Sequence, residues 1–516
     1  MTDINNSRRG FLRNAFAMAA AGAAAGAPSF AAAKEVIQMP AKWDEETDVI
    51  VVGSGFAGLA AAIEAAAAGA SVMVLEKMPT IGGNSIINGG DICVVGGPHQ
   101  IKGKIEGDSE DLLEDDIMRN GAYMNEPERA HLVAHSSLTN YEWLVNTIGV
   151  EFADGIGFTG GHSKPRCVSA KNGSGSGYVL KEAEYLEKHY GVKPRTRVYV
   201  EHILRNPETG VVEGLQVRTR YRFPKADSGT VKTIRARKAV ILCHGGFGAD
   251  VKYRSTLDPK LTAKFQTTNQ PGATSELWRE ASRIGGHIVQ ADWIQCTPWN
   301  NPMEKGMGIC WNYSQYVGGE AGLWVNTDGR RFVNELENRK VRSDAILVEQ
   351  GKGRRCIAVA NEASWKVFDE RRPDYKKSVT EPGLVKKYAT LAELAADWKI
   401  DPKALQQQID EFNGYVKAGK DAQFNRIFTD TVKPMTEGPW YAAEMSPKVH
   451  HCMGGLHVTL DGKVLDVETD EPIPHLYAAG EACYGTHGAV RMGDNGTLDA
   501  LVTGRLAGKA AAQEKA

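Results

Sequence analysis

Several short runs combine glycine with groups able to hold an anion. Gly53-Ser-Gly55-Phe56-Ala57-Gly58 has the G-x-G-x-x-G spacing. Its first glycine allows a tight turn, its second lets a pyrophosphate approach the backbone, and its third lets a helix pack closely. Glu76, with Lys77 beside it, is placed to accept hydrogen bonds from a ribose. Two further glycine runs, Gly82-Gly83-Asn84-Ser85 and Gly89-Gly90, would pass the backbone under a long ligand. Far along the chain, Gly480-Glu481 and Gly493-Asp-Asn495-Gly496-Thr497 ahead of Leu498 offer more backbone N–H donors. Between these last runs stands Arg491, whose planar fork suits a carboxylate; its plainer reading is a surface loop arginine. His450 and His451 are adjacent in "VHHCMGG". Such a pair also suits a metal, but no third ligand is suggested, and no metal site is expected.

Regular elements must position these groups. Thr47–Val52 reads as a buried parallel strand, 59–68 as a helix, and Ser71–Leu75 as a second strand ending at Glu76. Strand, glycine loop, helix, strand and terminal acid together make a dinucleotide-binding βαβ unit. Near the other end, 473–479 reads as a turn and strand leading into Gly480. Gly493–Thr497 then opens a helix over 498–511.

Composition narrows the alternatives. The chain has 516 residues and a formal net charge of −2. That is enough for two domains with large cores, and there is no basic run suited to nucleic acid. Beyond the first forty residues no segment is apolar and long enough to span a membrane. The eight cysteines are scattered without CxxC or CxxCH spacing, so no c-type haem is expected on this chain. Arg8-Arg9 precede an Ala- and Gly-rich stretch ending in Ala31-Ala32-Ala33, the order of an export signal. The paired arginines with Phe-Leu behind them resemble the twin-arginine type. That route carries folded proteins, a reason to expect a cofactor loaded before export, with the twin-arginine translocase as a transient partner.

The runs "DVIVVGSGFAGLAAAIEAAAAGASVMVLEK", "GGNSIINGG", "AVILCHGGFGAD", "GRRFVNE", "VHHCMGG", "LYAAGEACYGTHGAVRMGDNG" and "GRLAGKAAA" occur in this order. Together they resemble the fumarate reductase and succinate dehydrogenase flavoprotein family, above all its exported flavocytochrome c fumarate reductases and urocanate reductases. The resemblance implies an α/β fold: a Rossmann-like, glutathione-reductase-like FAD-binding domain interrupted by an α+β capping domain. The expected division is a signal peptide over 1–33, a linker over 34–46, FAD-binding segments over 47–292 and 432–516, and a cap over 293–431. Val200, Gly245, Gly246 and His451 join the glycine runs as expected FAD contacts. Membrane-bound relatives tether FAD through a histidine where this chain has Gly83, so non-covalent FAD is expected. The flavocytochromes carry a haem domain where this chain has only the linker, so a separate electron donor is expected, such as a c-type cytochrome.

The family's chemistry is hydride transfer from flavin N5 to the β carbon of an unsaturated acid, with an acid protonating the α carbon. By resemblance, Arg491 and His450 bind the carboxylate and Arg339 donates the proton; Arg339 otherwise pairs with a nearby acid such as Glu337. Ser314 is expected at the substrate. Thr297 stands where fumarate reductases have the histidine for a second carboxylate. Gln315 and Gly318 stand where the proton relay normally has a Glu and an Arg, leaving Tyr313, Tyr316 and Glu320 as replacements. Trp293, Trp299, Trp311 and Trp324 crowd this region. The expectation is a periplasmic reductase, active in anaerobic respiration, of an acid with one carboxylate and a larger, less charged far end. Fumarate-, urocanate- and arylacrylate-like acids fall within this class. The alternatives are a ketosteroid dehydrogenase-like flavoenzyme, which needs no carboxylate clamp, and a flavin electron carrier, which needs neither Arg339 nor His450.

Overall fold

The computed structural model describes residues 37–516 apart from 370, 371, 373, 430 and 431. The expected export segment, 1–33, lies outside the described residues. In chain order the elements that matter begin with β1 (Glu45–Val52), α1 (Phe56–Ala67), β2 (Val72–Leu75), β3 (Asp91–Cys93) and β4 (Cys167–Ser169). Then come α2 (Ser176–Tyr190), β5 (Val198–Arg205), β6 (Val212–Thr219), β7 (Thr230–Leu242) and β8 (Ile294–Asn300). The remainder are β9 (Leu323–Asn326), α3 (Arg339–Gly351), β10 (Cys356–Asn361), β11 (Lys386–Tyr388), β12 (Trp440–Cys452), β13 (Lys463–Leu465), β14 (Pro472–Ala478) and α4 (Asn495–Gln513).

A seven-stranded sheet has the order β13-β14-β7-β1-β2, with β6 also on β7 and β5 on β6. β1 runs parallel to β2 and β7, and β14 runs parallel to β7. Val52 pairs with Leu75 and Leu242, and Leu242 with Ala478. Four parallel strands therefore end in register, and the segments that follow them share one edge. Ligands of open α/β sheets lie outside that carboxyl edge. β1 is hydrophobic throughout its last four residues because both its faces are covered.

α1 and α4 pack on one face of this sheet through small residues. A Cβ on Gly504 would sit 2.4 Å from the Ala57 carbonyl oxygen, and one on Gly508 would sit 2.1 Å from that of Ala61. The alanine-rich α1 is thus a surface for close backbone approach as well as a good helix former.

A second, antiparallel sheet has the order β9-β10-β12-β11, with β8 on the far half of β12. Its core contains Tyr313, Tyr316, Trp324 and Trp365, all buried. β12 lies beyond residue 431 yet is central to this sheet. The strand gains ladder partners on both sides there, which outweighs chain continuity with the segments after it. The segment 313–320 is a π-helical turn.

Candidate active site

The carboxyl edge of the first sheet opens on a cleft of about 1740 Å³, open solvent at its mouth included. One end is built by the loop after β1. Its glycines are forced by contact: a Cβ on Gly53 would lie 2.3 Å from the Cys243 carbonyl oxygen, and one on Gly58 would lie 2.0 Å from that of Gly53. Gly55 caps α1 without any side-chain cap, so all but one of the first-turn N–H groups are left for an anion. One of them, on Phe56, donates to Ser85 Oγ at 3.0 Å. Glu76 Oε2 accepts from the Ser54 hydroxyl at 2.7 Å, and Oε1 accepts from Met78 N–H at 2.8 Å. Ser54, which pattern reading passed over as the variable position of the motif, also receives Gly82 N–H at 2.9 Å. It ties the two glycine runs together.

The cleft then passes Gly82, Gly83, Asn84, Ser85 and Gly89 on one side and Val200, Gly245 and Gly246 on the other. Gly83 and Gly245 have positive φ (+50° and +74°) and open space where a Cβ would be. These two glycines cradle whatever fills the cleft. Asn84 is fixed by Asn269 at 2.6 Å and by Gln270 N–H at 2.9 Å. At the far end α4 starts at Asn495, three residues before the expected start, again with no side-chain cap. A long cleft flanked by two uncapped helix N-termini and bare glycine backbone fits FAD.

Among expected cofactor residues, Gly53, Gly55, Phe56, Ala57, Glu76, Lys77, Gly82, Gly83, Asn84, Ser85, Gly89, Val200, Gly245, Gly246, His451, Glu481, Gly496 and Thr497 line the cleft. Gly58, Gly90, Gly480, Asn495 and Leu498 stand behind it. Gly90 accepts the Tyr178 hydroxyl at 3.0 Å and Gly480 packs on Ala57. Residues missed by pattern reading include His244, Gln270, Thr274 and Asp494. His244 is half-buried, and both its ring nitrogens are buried without a partner. Burial, aided by Lys77, lowers its pKa to about 3, so it is neutral. Its neighbours in "CHGGFG" were the only signal.

Arg339, His450 and Arg491 meet at the α4 end. Arg491 is 5% exposed and Arg339 6%. Arg491 is held by its own N–H, which donates to Gln295 Oε1 at 2.8 Å, and by Nη1, which donates to Met492 O at 3.0 Å. Its Nε has no partner, nor have Nε and Nη1 of Arg339. Arg339 opens α3, and its guanidinium lies 5.0 Å from the centre of the Trp299 ring. Burial, reinforced by the charge of Arg491, lowers the Arg339 pKa well below its ordinary value. Burial followed by Arg339 and Arg491 does the same to His450, which stays neutral. Its Nδ1 lies 2.7 Å from the Thr268 hydroxyl.

His451 Nδ1 is 3.5 Å from Glu481 Oε1, but burial and Arg491 keep this imidazole neutral, so the contact is not an ion pair. Burial lifts Glu481 to about 7.

Thr297 lines the cleft, but its hydroxyl donates to Asn300. Ser314 lies beneath the cleft lining and is fully buried, its backbone oxygen accepting Trp324 Nε1–H at 3.0 Å. Trp299 and Trp311 line the cleft, whereas Trp324 is core. Of the relay positions, Gln315 faces the cleft, and Gly318 packs on Ala358 instead.

Fold and site thus define a flavin-binding oxidoreductase. Residues 48–497 match the profile of the FAD binding domain family, and the chain belongs to that family. It is 34% identical over 511 residues to the acrylate reductase flavoprotein subunit of Shewanella woodyi, covering 97% of both chains. It is 32% identical to the urocanate reductase of Eggerthella lenta, over 93% of this chain and 77% of that one. Among solved structures it resembles the open conformation of a flavocytochrome c3 fumarate reductase, with a TM-score of 0.70 and 30% identity over 92% and 79% of the two chains. The chain is a FAD-dependent oxidoreductase of the fumarate reductase kind.

Proposed function

We propose that this chain reduces the C=C bond of an α,β-unsaturated carboxylate. The observation that carries the reading is Arg339 and Arg491. Both are buried in the cleft with unpartnered N–H groups, and neither has a carboxylate within 4.0 Å among the described residues. Two buried cations with no anion in contact are unfavourable; Asp494 offsets them only at longer range, and a bound carboxylate supplies the missing contact. The names of the relatives, reductases of acrylate, urocanate and fumarate, support the same class.

Arg491 Nε, with the remaining guanidinium donors, and neutral His450 hold the carboxylate. With the Thr268 hydroxyl as donor to His450 Nδ1, rather than to the Val449 carbonyl at 3.3 Å, His450 keeps Nε2–H to donate to it. Bound FAD supplies the hydride for the β carbon. As negative charge spreads from the α carbon into the carboxylate, Arg491 and His450 stabilise it more strongly than in the ground state. Arg339 delivers the proton to the α carbon; its lowered pKa makes it a better acid than arginine in water. Tyr313 is not free to return that proton, because its hydroxyl donates to the Tyr441 carbonyl at 2.7 Å. Tyr316 donates to Asp91, which lines the cleft, at 3.2 Å, and this pair is the better route.

Thr297 offers no second carboxylate ligand, since Asn300 takes its hydroxyl. With Trp299 and Trp311 beside it, this end favours an uncharged, flat substituent. The cap, taken as 293–431 with β12 completing its sheet, supplies Arg339 and these indoles. The Arg8-Arg9 run supports periplasmic export. Without a haem motif on the chain, a separate donor such as a c-type cytochrome would bring electrons in anaerobic respiration. The test is turnover of purified protein with reduced viologen and fumarate, urocanate, cinnamate, acrylate and itaconate. Monocarboxylate enoates should be the best acceptors; fumarate far ahead of them would refute the reading of Thr297, and no turnover of any enoate would refute the function.

A further inference from the structure

β3 and β4 bring two cysteines from distant parts of the sequence face to face: Cys93 pairs with Cys167. The Val94 N–H donates to Arg166 at 2.8 Å, whereas Cys167 exchanges both backbone groups with Gly157, at 2.7 and 3.2 Å. Cys93 and Cys167 are therefore a non-hydrogen-bonded pair, the kind whose side chains approach most closely. His162 Nε2 lies 3.9 Å from Cys93 Sγ and 3.8 Å from Cys167 Sγ. All three ligand atoms lie within 4.8 Å of one another. The Gly493 carbonyl oxygen closes the figure, 3.0 Å from His162 Nε2 and 3.5 Å from Cys93 Sγ. All three side chains are buried.

We propose that Cys93, His162 and Cys167 bind a thiophilic ion of the zinc class, with the Gly493 carbonyl as fourth ligand. Tetrahedral zinc, with bonds of about 2.3 Å to sulfur and about 2.0–2.1 Å to nitrogen, places its ligand atoms roughly 3.5–3.8 Å apart. The two sulfur–nitrogen separations need only a few tenths of an ångström of contraction, and the shorter nitrogen–carbonyl separation a few tenths of expansion. A disulfide would need the sulfurs about 2.0 Å apart; in this structure both cysteines are free. Binding releases the two thiol protons. The dication, two thiolates and neutral imidazole then sum to zero charge, as a buried site requires. Gly493 lies two residues after Arg491, so the ion ties the β3–β4 pair to the loop that presents Arg491. It is a structural tie with no open position for substrate.

The experiment is elemental analysis of the FAD-loaded protein, purified without chelator from zinc-supplemented cells, together with zinc-edge X-ray absorption. The expected result is about one zinc per FAD, with two sulfur scatterers at about 2.3 Å. Cys93→Ser and Cys167→Ser should each lose at least tenfold of the zinc while keeping FAD. His131→Ala, at the exposed member of the Glu114–His131–His135 group, should keep it. Zinc-free wild type, zinc bound by oxygen and nitrogen only, zinc retained by both serine variants, or a Cys93–Cys167 disulfide in a non-reducing peptide map would each overturn the proposal. If a serine variant fails to fold, the wild-type absorption spectrum decides alone.

Discussion

Arg491 and Arg339 share one cleft but differ in how they are held. Arg491 is braced by Gln295 and Met492, as the proposed clamp requires, whereas Arg339 rests on an indole with two unpartnered donors. Arg491→Ala should therefore raise KM strongly and also lower kcat. A charge-assisted contact left unpaired costs roughly 2–5 kcal/mol, about 30- to several-thousand-fold in kcat/KM. Arg339→Ala should leave KM nearly unchanged and lower kcat by about 10²–10⁴-fold. Stopped-flow reoxidation of pre-reduced enzyme by the best enoate separates the two. If Arg339→Ala reoxidises at the wild-type rate at saturation, Arg339 is not the acid, and Tyr316 is the next residue to test. Glu481 carries a pH prediction. Burial lifts its pKa from 4.5 to about 7, partly offset by the Cys452 N–H bond and Arg491. Between those values the folded state binds more protons than the unfolded chain, so stability should fall as pH rises through this window. The full loss is roughly 3 kcal/mol. Glu481→Gln should flatten that slope in urea unfolding between pH 5 and 8; an unchanged slope assigns it to another group.

Elements that repeat a local pattern were legible in the sequence, and those assembled over distance were not. β1, α1 and β2 follow from an apolar run, a glycine loop and a terminal acid, because each signal lies within a few residues of its effect. α4 begins at Asn495, inside the expected loop, because Asp494 takes a left-handed conformation (φ +61°) and starts the helix early. The relay segment was opaque for another reason. A π-helical turn over 313–320 shifts side-chain directions away from helical periodicity, which is why Gln315 faces the cleft and Ser314 does not. Nor could spacing bring Cys93 to His162, sixty-nine positions away. The α1–α4 contact gives a prediction of opposite signs. Gly504→Ala drives a Cβ to 2.4 Å from the Ala57 carbonyl oxygen, in the first turn of the helix that borders the FAD cleft. Overpacking of this kind costs about 1–3 kcal/mol, more than the ~1 kcal/mol that alanine gains over glycine in a helix. Melting temperature and FAD retention on gel filtration should both drop. Gly414→Ala, exposed in the helix Pro402–Ala418 with nothing within 4 Å of the new methyl, should raise the melting temperature instead.

At the scale of the molecule, the cleft joins groups from both ends of the chain, Gly53 to Thr497. FAD can be enclosed only once the first sheet, α4 and the second sheet have come together. Gly83 leaves open space where a tethering side chain would stand, so acid precipitation should release all of the FAD, and yellow colour kept in the pellet would contradict that. A cofactor enclosed by chain folding and held without a covalent bond is most readily acquired where it is made. Export of an unfolded chain would separate it from that supply, whereas export of the folded protein carries the cofactor along. Under the export proposed above, the Arg8-Arg9 run would couple loading to transport. Replacing both, Arg8→Lys with Arg9→Lys, preserves the charge and removes the guanidinium pair. The expected outcome is full-length, FAD-loaded protein in the cytoplasm, with reductase activity in spheroplast lysates and little in the periplasmic fraction. Wild-type protein should show the reverse distribution, with residues 1–33 absent by mass spectrometry. Mature protein reaching the periplasm at an undiminished rate in the double variant would mean that the leader is not read by its arginines.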